Sequence, residues 1–366
     1  MKESQRGPHV DEFAQRSAGD RADVFRAVAF RRGLSASIVE KDFWVCWTLK
    51  RLFTLNTPPA GLLFKGGTSL AKVFKVIERF SEDIDLSVSR NDLGFVGESD
   101  PATAKTGKQR QRRLDSLTEA CRQFIHHSLL RQLHDAFSNS LGNIAREAWS
   151  LDVADDDPGR QTLIFRYPRS DLTISAIGPA YIRPTVRLEI GARSDHWPTN
   201  EGTVTPYAAE DFPTAFKSPA CAVHVLAAER TFWEKATILH AWYHAPARRV
   251  LRDRQSRHYY DLVRMYEHGT GREAMKDTKL LLSVASHKSV FFSSAAAQYA
   301  NARPGTLRLV PPESRIGELR RDYESMREMI FGPVPGFEHI LSVLAEMESA
   351  INNKSWTKLR RFNDSH

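Results

Sequence analysis

The chain has 366 residues, of which 41% are hydrophobic and 26% charged, as in a globular protein of two or three packed units. Lys and Arg outnumber Asp and Glu by 52 to 44, and the resulting net charge of +8 favours a polyanionic partner only modestly. The three scattered cysteines argue against a disulfide framework or a zinc motif, and no apolar run approaches the roughly 20 residues of a membrane span. The polar N-terminus has no signal-peptide core. We therefore expect a cytoplasmic protein with no membrane contact.

The first quarter of the chain combines helical spacing with one strand–helix–strand unit. Residues 1–20 are polar and are expected to be flexible, whereas residues 21–54 have helical spacing with Ser35 or Ser37 as the cap of a second helix. A short buried strand is predicted over 62–64, a helix over 68–78 and a strand over 83–88. This unit contains the candidate chemistry of the N-terminal half.

The middle of the chain is predicted to hold a basic segment and further strands. Residues 97–114 carry five basic side chains and read as a solvated loop or as a nucleic-acid contact. A helix near 114–134, an acidic turn around Asp155 to Gly159, and strands over 161–167, 182–190 and about 203–207 follow. The five basic residues are Lys105, Lys108, Arg110, Arg112 and Arg113.

From about residue 215 the pattern becomes helical. One long amphipathic segment is predicted over 223–243, followed by helices over 256–268, 272–287, 289–300, 314–330 and 336–351. We therefore predict an α+β fold with a mixed core over 21–214. A helical domain over 215–366 is expected to complete an active-site cleft.

Gly66 and Gly67 open the helix of the predicted strand–helix–strand unit, followed by Thr68 and Ser69. Glycine allows a phosphate to approach the backbone closely, and a hydroxyl beside it adds a donor. A simple tight turn is the alternative, because two glycines before a helix are common.

Asp83 and Asp85 alternate with Ile84 and Leu86 along the predicted strand. Successive side chains of a strand point to opposite faces, so both carboxylates share one face with Cα atoms roughly 6.6 Å apart. Aspartate is depleted in strands, and adjacent like charges are costly unless a cation neutralises them. The pattern predicts a site for Mg²⁺, as two ions with a nucleoside triphosphate, although an exposed edge strand would look similar. Glu189 on a later strand is a candidate third carboxylate or a surface salt-bridge partner.

The helical half contributes two further candidates. Lys235 could neutralise triphosphate charge, and Asp261 could fix Lys235 or orient the substrate; either residue could equally be an ordinary helix-surface charge. Between them lies an arginine-rich segment whose neighbouring aromatic residues suit phosphates and unstacked bases, with a solvated loop as the alternative. Its arginines are Arg248, Arg249, Arg252, Arg254 and Arg257, and the aromatic residues are Trp242, Tyr243, Tyr259 and Tyr260.

These motifs resemble the AbiEii/AbiGii nucleotidyltransferase toxins, the toxin half of bacterial toxin–antitoxin and phage-defence pairs, a group that includes MenT-like toxins. Three segments carry the resemblance: 65–70 with 79–86, 229–235 and 257–262; residues 40–44 are also typical of the family. The family's second motif is usually Lys-x-Asp, whereas this chain has Arg187-Leu188-Glu189, and arginine is not equivalent to lysine. The role of Arg187 is therefore open.

The resemblance implies a polymerase-β-like core, Mg²⁺-dependent transfer from an NTP and a cognate antitoxin. It implies catalytic roles for Asp83, Asp85, Lys235 and Asp261, and nucleotide-binding roles for Gly66, Gly67, Thr68, Ser69, Arg79 and Ser81. In relatives the acceptor is the 3′ end of tRNA, so we expect a toxin that blocks translation and growth. Transfer to a protein or small molecule, or a non-catalytic nucleic-acid or partner-binding protein on the same fold, are the alternatives.

Overall fold

The computed structural model describes residues 9–55, 61–142, 144–172, 183–251 and 253–353. The chain forms two compact units. Unit 1 comprises Met1–Lys75 and Phe80–Leu226, and unit 2 comprises Val76–Arg79 and Ala227–His366. Among the described residues, no helix has the length and apolar character needed to cross a membrane.

Unit 1 begins with three helices: α1 (Val10–Ala14), α2 (Ala18–Arg32) and α3 (Ala36–Phe53). The side chain of Ser35 accepts a hydrogen bond from the amide of Ile38, so Ser35, one of the two candidate caps of the sequence analysis, caps α3. Residues 9–20 differ from the loose segment expected from composition. They contain α1 and the start of α2, because Val10 and Phe13 are buried.

A seven-stranded mixed sheet, counted over the described residues, forms the centre of unit 1. Its strands are β1 (Leu63–Lys65), β2 (Asp83–Ser87), β3 (Ser150–Val153), β4 (Thr162–Arg166), β5 (Thr185–Gly191), β6 (Thr199–Val204) and β7 (Cys221–Leu226). The spatial order is β3-β4-β5-β2-β1-β7-β6. Strand β2 lies in the middle, antiparallel to β1 and parallel to β5.

Three strands differ from the sequence predictions, the first being β6, which covers Thr199–Val204 where an extended piece was expected around 203–207. Strand β3 was not predicted, and β7 lies where a long helical segment over 223–243 was expected. Residues of β7 alternate between the core and the surface, with Val223 and Val225 buried and Ala222 exposed. This two-residue period is that of a strand, so the helical prediction was wrong before Ala228.

The remaining helices of unit 1 are α4 (Gly66–Lys72), α5 (Gly107–Phe124), α6 (Leu130–Leu141) and α7 (Tyr207–Asp211). A π-helical turn, Ile125–Leu129, joins α5 to α6. Helix α4 ends six residues before the predicted end at 78. The chain turns at Lys75, whose φ is +55°, and residues 76–79 then belong to unit 2.

Helix α3 holds the site-bearing elements of unit 1 in place through buried charged side chains. The ammonium of Lys41 lies 2.6 Å from a carboxylate oxygen of Glu82, immediately before β2. Asp42 lies 2.7 Å from the ammonium of Lys72 at the end of α4. Because these buried charges are costly unless paired, they fix α3 against α4 and β2.

Unit 2 is helical. Its helices are α8 (Ala228–Tyr243), α9 (Arg257–Glu267), α10 (Thr270–Ala274), α11 (Thr278–Phe291), α12 (Glu313–Met326) and α13 (Phe337–Asn352). The helix predicted over 289–300 is wrong, since α11 ends at Phe291 and only two short 3₁₀ turns follow. The helix predicted over 272–287 is divided, because the Asp277 side chain caps α11. Together the units confirm the expected α+β class.

Candidate active site

The two aspartates of β2 lie on the same face of the central strand. Ile84 and Leu86 point to the opposite face, where both are fully buried. Asp85 is paired in register with Glu189 of β5 on one side and Lys65 of β1 on the other. Three charged side chains therefore occupy one row across adjacent strands, at the centre of the sheet.

The glycine turn lies directly against this row. Gly66 has φ +81°, which favours glycine, and a Cβ atom there would lie 1.8 Å from a carboxylate oxygen of Asp85. The hydroxyl of Thr68 donates to the carbonyls of Asp83 at 2.5 Å and Ser81 at 3.3 Å. The hydroxyl of Ser69 donates to the Gly66 carbonyl at 2.8 Å. These contacts hold the turn beside β2, while phosphate binding by the two hydroxyls stays a prediction.

The Asp83 carboxyl lies in an excess of negative charge. Burial, together with the charges of Glu82, Glu189 and Asp85, raises its pKa to about 6, and Lys41 only partly opposes this rise. A divalent cation would relieve the repulsion. In the described part of the chain, no three His, Cys, Asp or Glu side chains form a complete metal site. Mg²⁺, however, typically takes one or two carboxylates and completes its shell with water and substrate phosphates, so the donors fit this ion.

Arg187 and Glu189 have different surroundings although they lie on the same strand. Arg187 is in register with Asp83, and its guanidinium lies 3.0 Å from both carboxylate oxygens of Asp156 in the acidic turn. Glu189 is exposed beside Asp85. The structure therefore places Glu189 beside Asp85 on the adjacent strand. The sequence motif gave no sign that Arg187 pairs with Asp156 of the acidic turn.

In unit 2, Lys235 and Asp261 form an ion pair, with 2.7 Å between the ammonium and a carboxylate oxygen. Arg79 completes the cluster: its Nε and Nη2 atoms lie 2.6 and 2.8 Å from the two Asp261 oxygens. The side chains of Arg79, Asp261 and Lys235 are 4%, 0% and 8% exposed. We call these three residues the buried triad. The Lys235–Asp261 contact is one of the alternatives that the sequence left open, whereas the contact with Arg79 bridges 182 residues and has no local signal.

The triad shifts the protonation equilibria of its members. Burial alone would raise the pKa of the Asp261 carboxyl, but the charges of Arg79 and Lys235 outweigh burial and hold it well below its usual range. Burial lowers the pKa of Lys235, and the charges of Arg79 and Arg257 add to this effect against the attraction of Asp261. His258 follows Arg257 in α9. Burial and the charge of Lys235 hold the pKa of His258 well below its usual value.

We call the arginine-rich segment between α8 and α9 the arginine loop; its described residues are 246–251 and 253–256, together with Arg257 at the start of α9. Arg248 and Arg249 are exposed, and the Arg249 guanidinium lies 4.6 Å from the ring centre of Trp242. Arg254 and Arg257 are half-buried, and the prediction for Arg252 lies outside the described residues. Tyr259 and Tyr260 are buried, so they do not offer exposed stacking surfaces.

Helix α12 holds the arginine loop. The buried Arg315 guanidinium donates at 2.8 Å to the carbonyls of Pro246 and Arg249. The Asp322 carboxylate accepts from the amides of Arg254 at 2.6 Å and Ser256 at 2.7 Å. The loop backbone is thus fixed at both ends, which limits the entropy lost when its exposed arginines bind a ligand.

Comparison with known proteins assigns the chain to a family. Residues 47–343 match the family described as nucleotidyl transferase AbiEii toxin, type IV toxin–antitoxin system. Among solved structures, the chain is similar to MenT4, a nucleotidyltransferase toxin of Mycobacterium tuberculosis H37Rv. The TM-score is 0.50 and the identity 16%, over 93% of this chain and 92% of that chain. This likeness shows the fold, and no curated protein sequence matches. Because the family match spans well over half of the sequence, the chain belongs to the AbiEii family of nucleotidyltransferase toxins.

Proposed function

We propose that this toxin uses Mg²⁺ to transfer the NMP group of an NTP to the 3′ end of a tRNA. The observation that carries the proposal is the pair Asp83 and Asp85 on one face of β2, beside the turn at Gly66. Burial, and to a smaller extent the charges of the neighbouring carboxylates, raise the pKa of Asp83 to about 6. A site of this charge is suited to a divalent cation.

The proposed metal ligands are Asp83 and Asp85; Glu189, in register with Asp85, adds negative charge to the site but does not complete a three-carboxylate ligand set among the described residues. Bound Mg²⁺ would lower the pKa of an attacking hydroxyl and offset charge on the triphosphate. The chain's own contribution is to hold the two aspartates in fixed positions. Thr68 does so through its hydrogen bonds to the carbonyls of Ser81 and Asp83.

The proposed triphosphate contacts are the backbone of Gly66 and Gly67 and the ammonium of Lys235. Gly66 carries no Cβ, so a phosphate could approach the turn closely. In the transfer step, the acceptor hydroxyl loses its proton to water and its oxygen forms a bond to the α-phosphorus, while the bond from the α-phosphorus to the pyrophosphate oxygen breaks and pyrophosphate leaves. Lys235 would stabilise the negative charge of the departing pyrophosphate.

The arginine loop is the proposed RNA contact. Arg248 and Arg249 are exposed on a backbone that Arg315 and Asp322 hold in place. Guanidinium groups bind phosphates in two-point contacts, which suits the backbone of a tRNA. A cognate antitoxin is the further partner that membership of a toxin–antitoxin family implies, and co-expression with neighbouring genes would identify it by restored growth.

The test is a transfer assay with the full chain, Mg²⁺, each of the four α-labelled NTPs and total tRNA. We expect label on the 3′ end of tRNA, lost on chelation of the metal and lost in the double variant Asp83→Ala, Asp85→Ala. The matched control is Asp152→Ala with Asp155→Ala, which removes two exposed carboxylates from the same unit. This control should retain wild-type activity.

Other results would contradict specific parts of the proposal. Transfer that survives the Asp83 and Asp85 substitutions would refute the metal assignment. Label that appears on protein or a small molecule and never on RNA would refute the acceptor. Binding of tRNA without transfer from any NTP, and without growth arrest on expression, would refute the proposed transfer reaction.

A further inference from the structure

The segment Val76–Arg79 joins helix α4 to strand β2 along the chain, yet it belongs to unit 2. Arg79 forms an antiparallel bridge with Ile330, and the carbonyl of Glu78 accepts a hydrogen bond from the amide of Phe331 at 2.7 Å. The carboxylate of Glu78 lies 2.9 Å from the Arg264 guanidinium. The segment is therefore fixed within unit 2 by backbone and side-chain contacts.

The Arg79 side chain is committed to Asp261. Its two hydrogen bonds, at 2.6 and 2.8 Å, reach both oxygens of the carboxylate in the planar fork geometry that only arginine offers. With 4% of its side chain exposed, Arg79 would have to leave this contact to bind a phosphate directly. Breaking it would remove two charge-assisted hydrogen bonds from a fully buried carboxylate, which is costly. A direct phosphate contact by Arg79, as the family resemblance suggests, is therefore unfavourable.

Arg79 also changes the charge of the cluster. Lys235 and Asp261 alone would form a neutral pair, with little net attraction for a polyphosphate. With Arg79 the buried triad carries a net charge of +1, while the Lys235 ammonium still has its anchor 2.7 Å away on Asp261. At the low dielectric of a buried site, such a net charge acts more strongly than a surface charge would.

We propose that Arg79 is a positioning residue for Lys235: it holds the Asp261 carboxylate by two bonds, so that Asp261 orients the ammonium and the cluster stays cationic. This inference rests on the proposed function, in which Lys235 contacts the triphosphate. Arg79 thereby acts on the NTP only through Asp261 and Lys235. Only Phe80, Ser81 and Glu82 separate it along the chain from Asp83, so the same short stretch of sequence serves both charged clusters.

A double-mutant cycle on NTP affinity tests this coupling. The full chain with Mg²⁺ and without RNA is titrated calorimetrically with ATP, GTP, CTP and UTP, and the tightest binder is then used for all variants. Arg79→Met and Lys235→Met should each raise the Kd about tenfold, and the double variant should raise it about tenfold rather than about a hundredfold. If the double variant has the same Kd as each single variant, Arg79 and Lys235 contribute to NTP binding through one shared interaction.

Two further variants separate positioning from general damage. Arg79→Lys keeps the charge but not the fork, so we expect a folded protein whose Kd rises about threefold and is likewise non-additive with Lys235→Met. This variant carries the test if Arg79→Met does not fold. Arg264→Met removes a contact to the same segment without touching Asp261, and its Kd should equal that of the wild type.

Three results would overturn the inference: an unchanged Kd in Arg79→Met, multiplicative effects in the double variant, or an equal loss in Arg264→Met. Multiplicative effects would mean that Arg79 touches the triphosphate itself. If the wild-type protein binds none of the four NTPs, the proposed function fails and this inference falls with it. If the wild type binds an NTP and one of the three results is found, only the inference fails.

Discussion

Asp83 in unit 1 and Asp261 in unit 2 are both aspartates at candidate functional positions, but their surroundings are opposite. Asp83 lies among Glu82, Asp85 and Glu189, and burial with these charges raises its pKa to about 6. Asp261 is fully buried between Arg79 and Lys235, whose charges outweigh its burial and hold its pKa below the usual range. The negative neighbours of Asp83 outweigh the positive charge of Lys41, whereas Asp261 is paired with two cations.

The comparison distinguishes a cluster with an excess of negative charge, around Asp83, from one whose carboxylate is paired with cations of the same chain, around Asp261. The carboxylates of the negative cluster in unit 1 repel one another, and the Mg²⁺ of the proposed function would relieve this repulsion. The buried triad of unit 2 has its counter-charges built in and leaves one positive charge in excess. Substitutions in the two clusters should therefore change stability in opposite directions.

The largest expected effect on folding comes from Asp261→Asn. This change leaves Arg79 and Lys235 buried without a counter-charge and should lower the free energy of unfolding of unit 2 by about 3–5 kcal/mol. Urea unfolding followed by tryptophan fluorescence measures it, since Trp233 and Trp242 lie in unit 2. The matched variant Asp83→Asn removes charge from a repulsive cluster and should leave the metal-free protein at pH 7.5 as stable or more stable. A loss of stability in Asp83→Asn as large as that in Asp261→Asn would contradict the comparison.

Gly66→Ala should have the next largest effect, on unit 1. The positive φ of Gly66 costs a non-glycine residue about 1–2 kcal/mol, and the new methyl group would also displace the Asp85 carboxylate. We expect a lower melting temperature and a loss of Mg²⁺-dependent transfer. The control is Gly191→Ala in β5, where a Cβ meets no atom within 4 Å, so neither property should change. Full activity in Gly66→Ala would show that the turn and Asp85 need not touch.

The pH dependence of stability provides a smaller test of the negative cluster. The folded pKa of Asp83, about 6, exceeds its unfolded value, so between about pH 4 and 6 the unfolded chain gives up its proton first. The Asp83 contribution to the free energy of unfolding of metal-free protein should therefore fall by about 2 kcal/mol as pH rises through this window. Urea unfolding at several pH values measures the difference between wild type and Asp83→Asn, and added Mg²⁺ should abolish it. An identical pH profile in wild type and Asp83→Asn would mean that the pKa of Asp83 is the same in the folded and unfolded protein.

The shared face of Asp83 and Asp85 could be predicted from the sequence because it depends on the two-residue period of a single strand. Likewise, the cap of α3 could be narrowed to Ser35 or Ser37 from their place before a helical repeat, and the structure selects Ser35. Contacts between distant segments could not be predicted this way. The pairing of Arg79 with Asp261 depends on which helix the segment 76–79 packs against, and no local pattern encodes that choice.

Errors in the predicted elements have the same origin. Strand β7 reads as part of a helix because its apolar residues run directly into α8, and only its pairing with β1 and β6 determines the strand. Helix α4 ends at Lys72, and after the turn at Lys75 residues Val76–Arg79 belong to unit 2, a change that the local sequence does not indicate. The buried Lys41 illustrates a signal that was present but not used: a run of charges inside an otherwise apolar helix indicates a buried ionic partner, here Glu82.

The smallest expected effects on folding come from the exposed cations of the arginine loop, in contrast to the buried triad. Arg248→Ala and Arg249→Ala should each change the free energy of unfolding by less than about 0.5 kcal/mol, because both side chains are exposed. Their effect should instead fall on tRNA binding: each variant should weaken it several-fold and reduce the slope of log affinity against log salt by about 0.7–0.9. Filter binding at several salt concentrations measures both quantities. The control is Lys276→Ala, whose side chain is 70% exposed and already paired with Glu273. An equal loss in this control would mean that tRNA senses the overall charge of the protein and not the arginine loop.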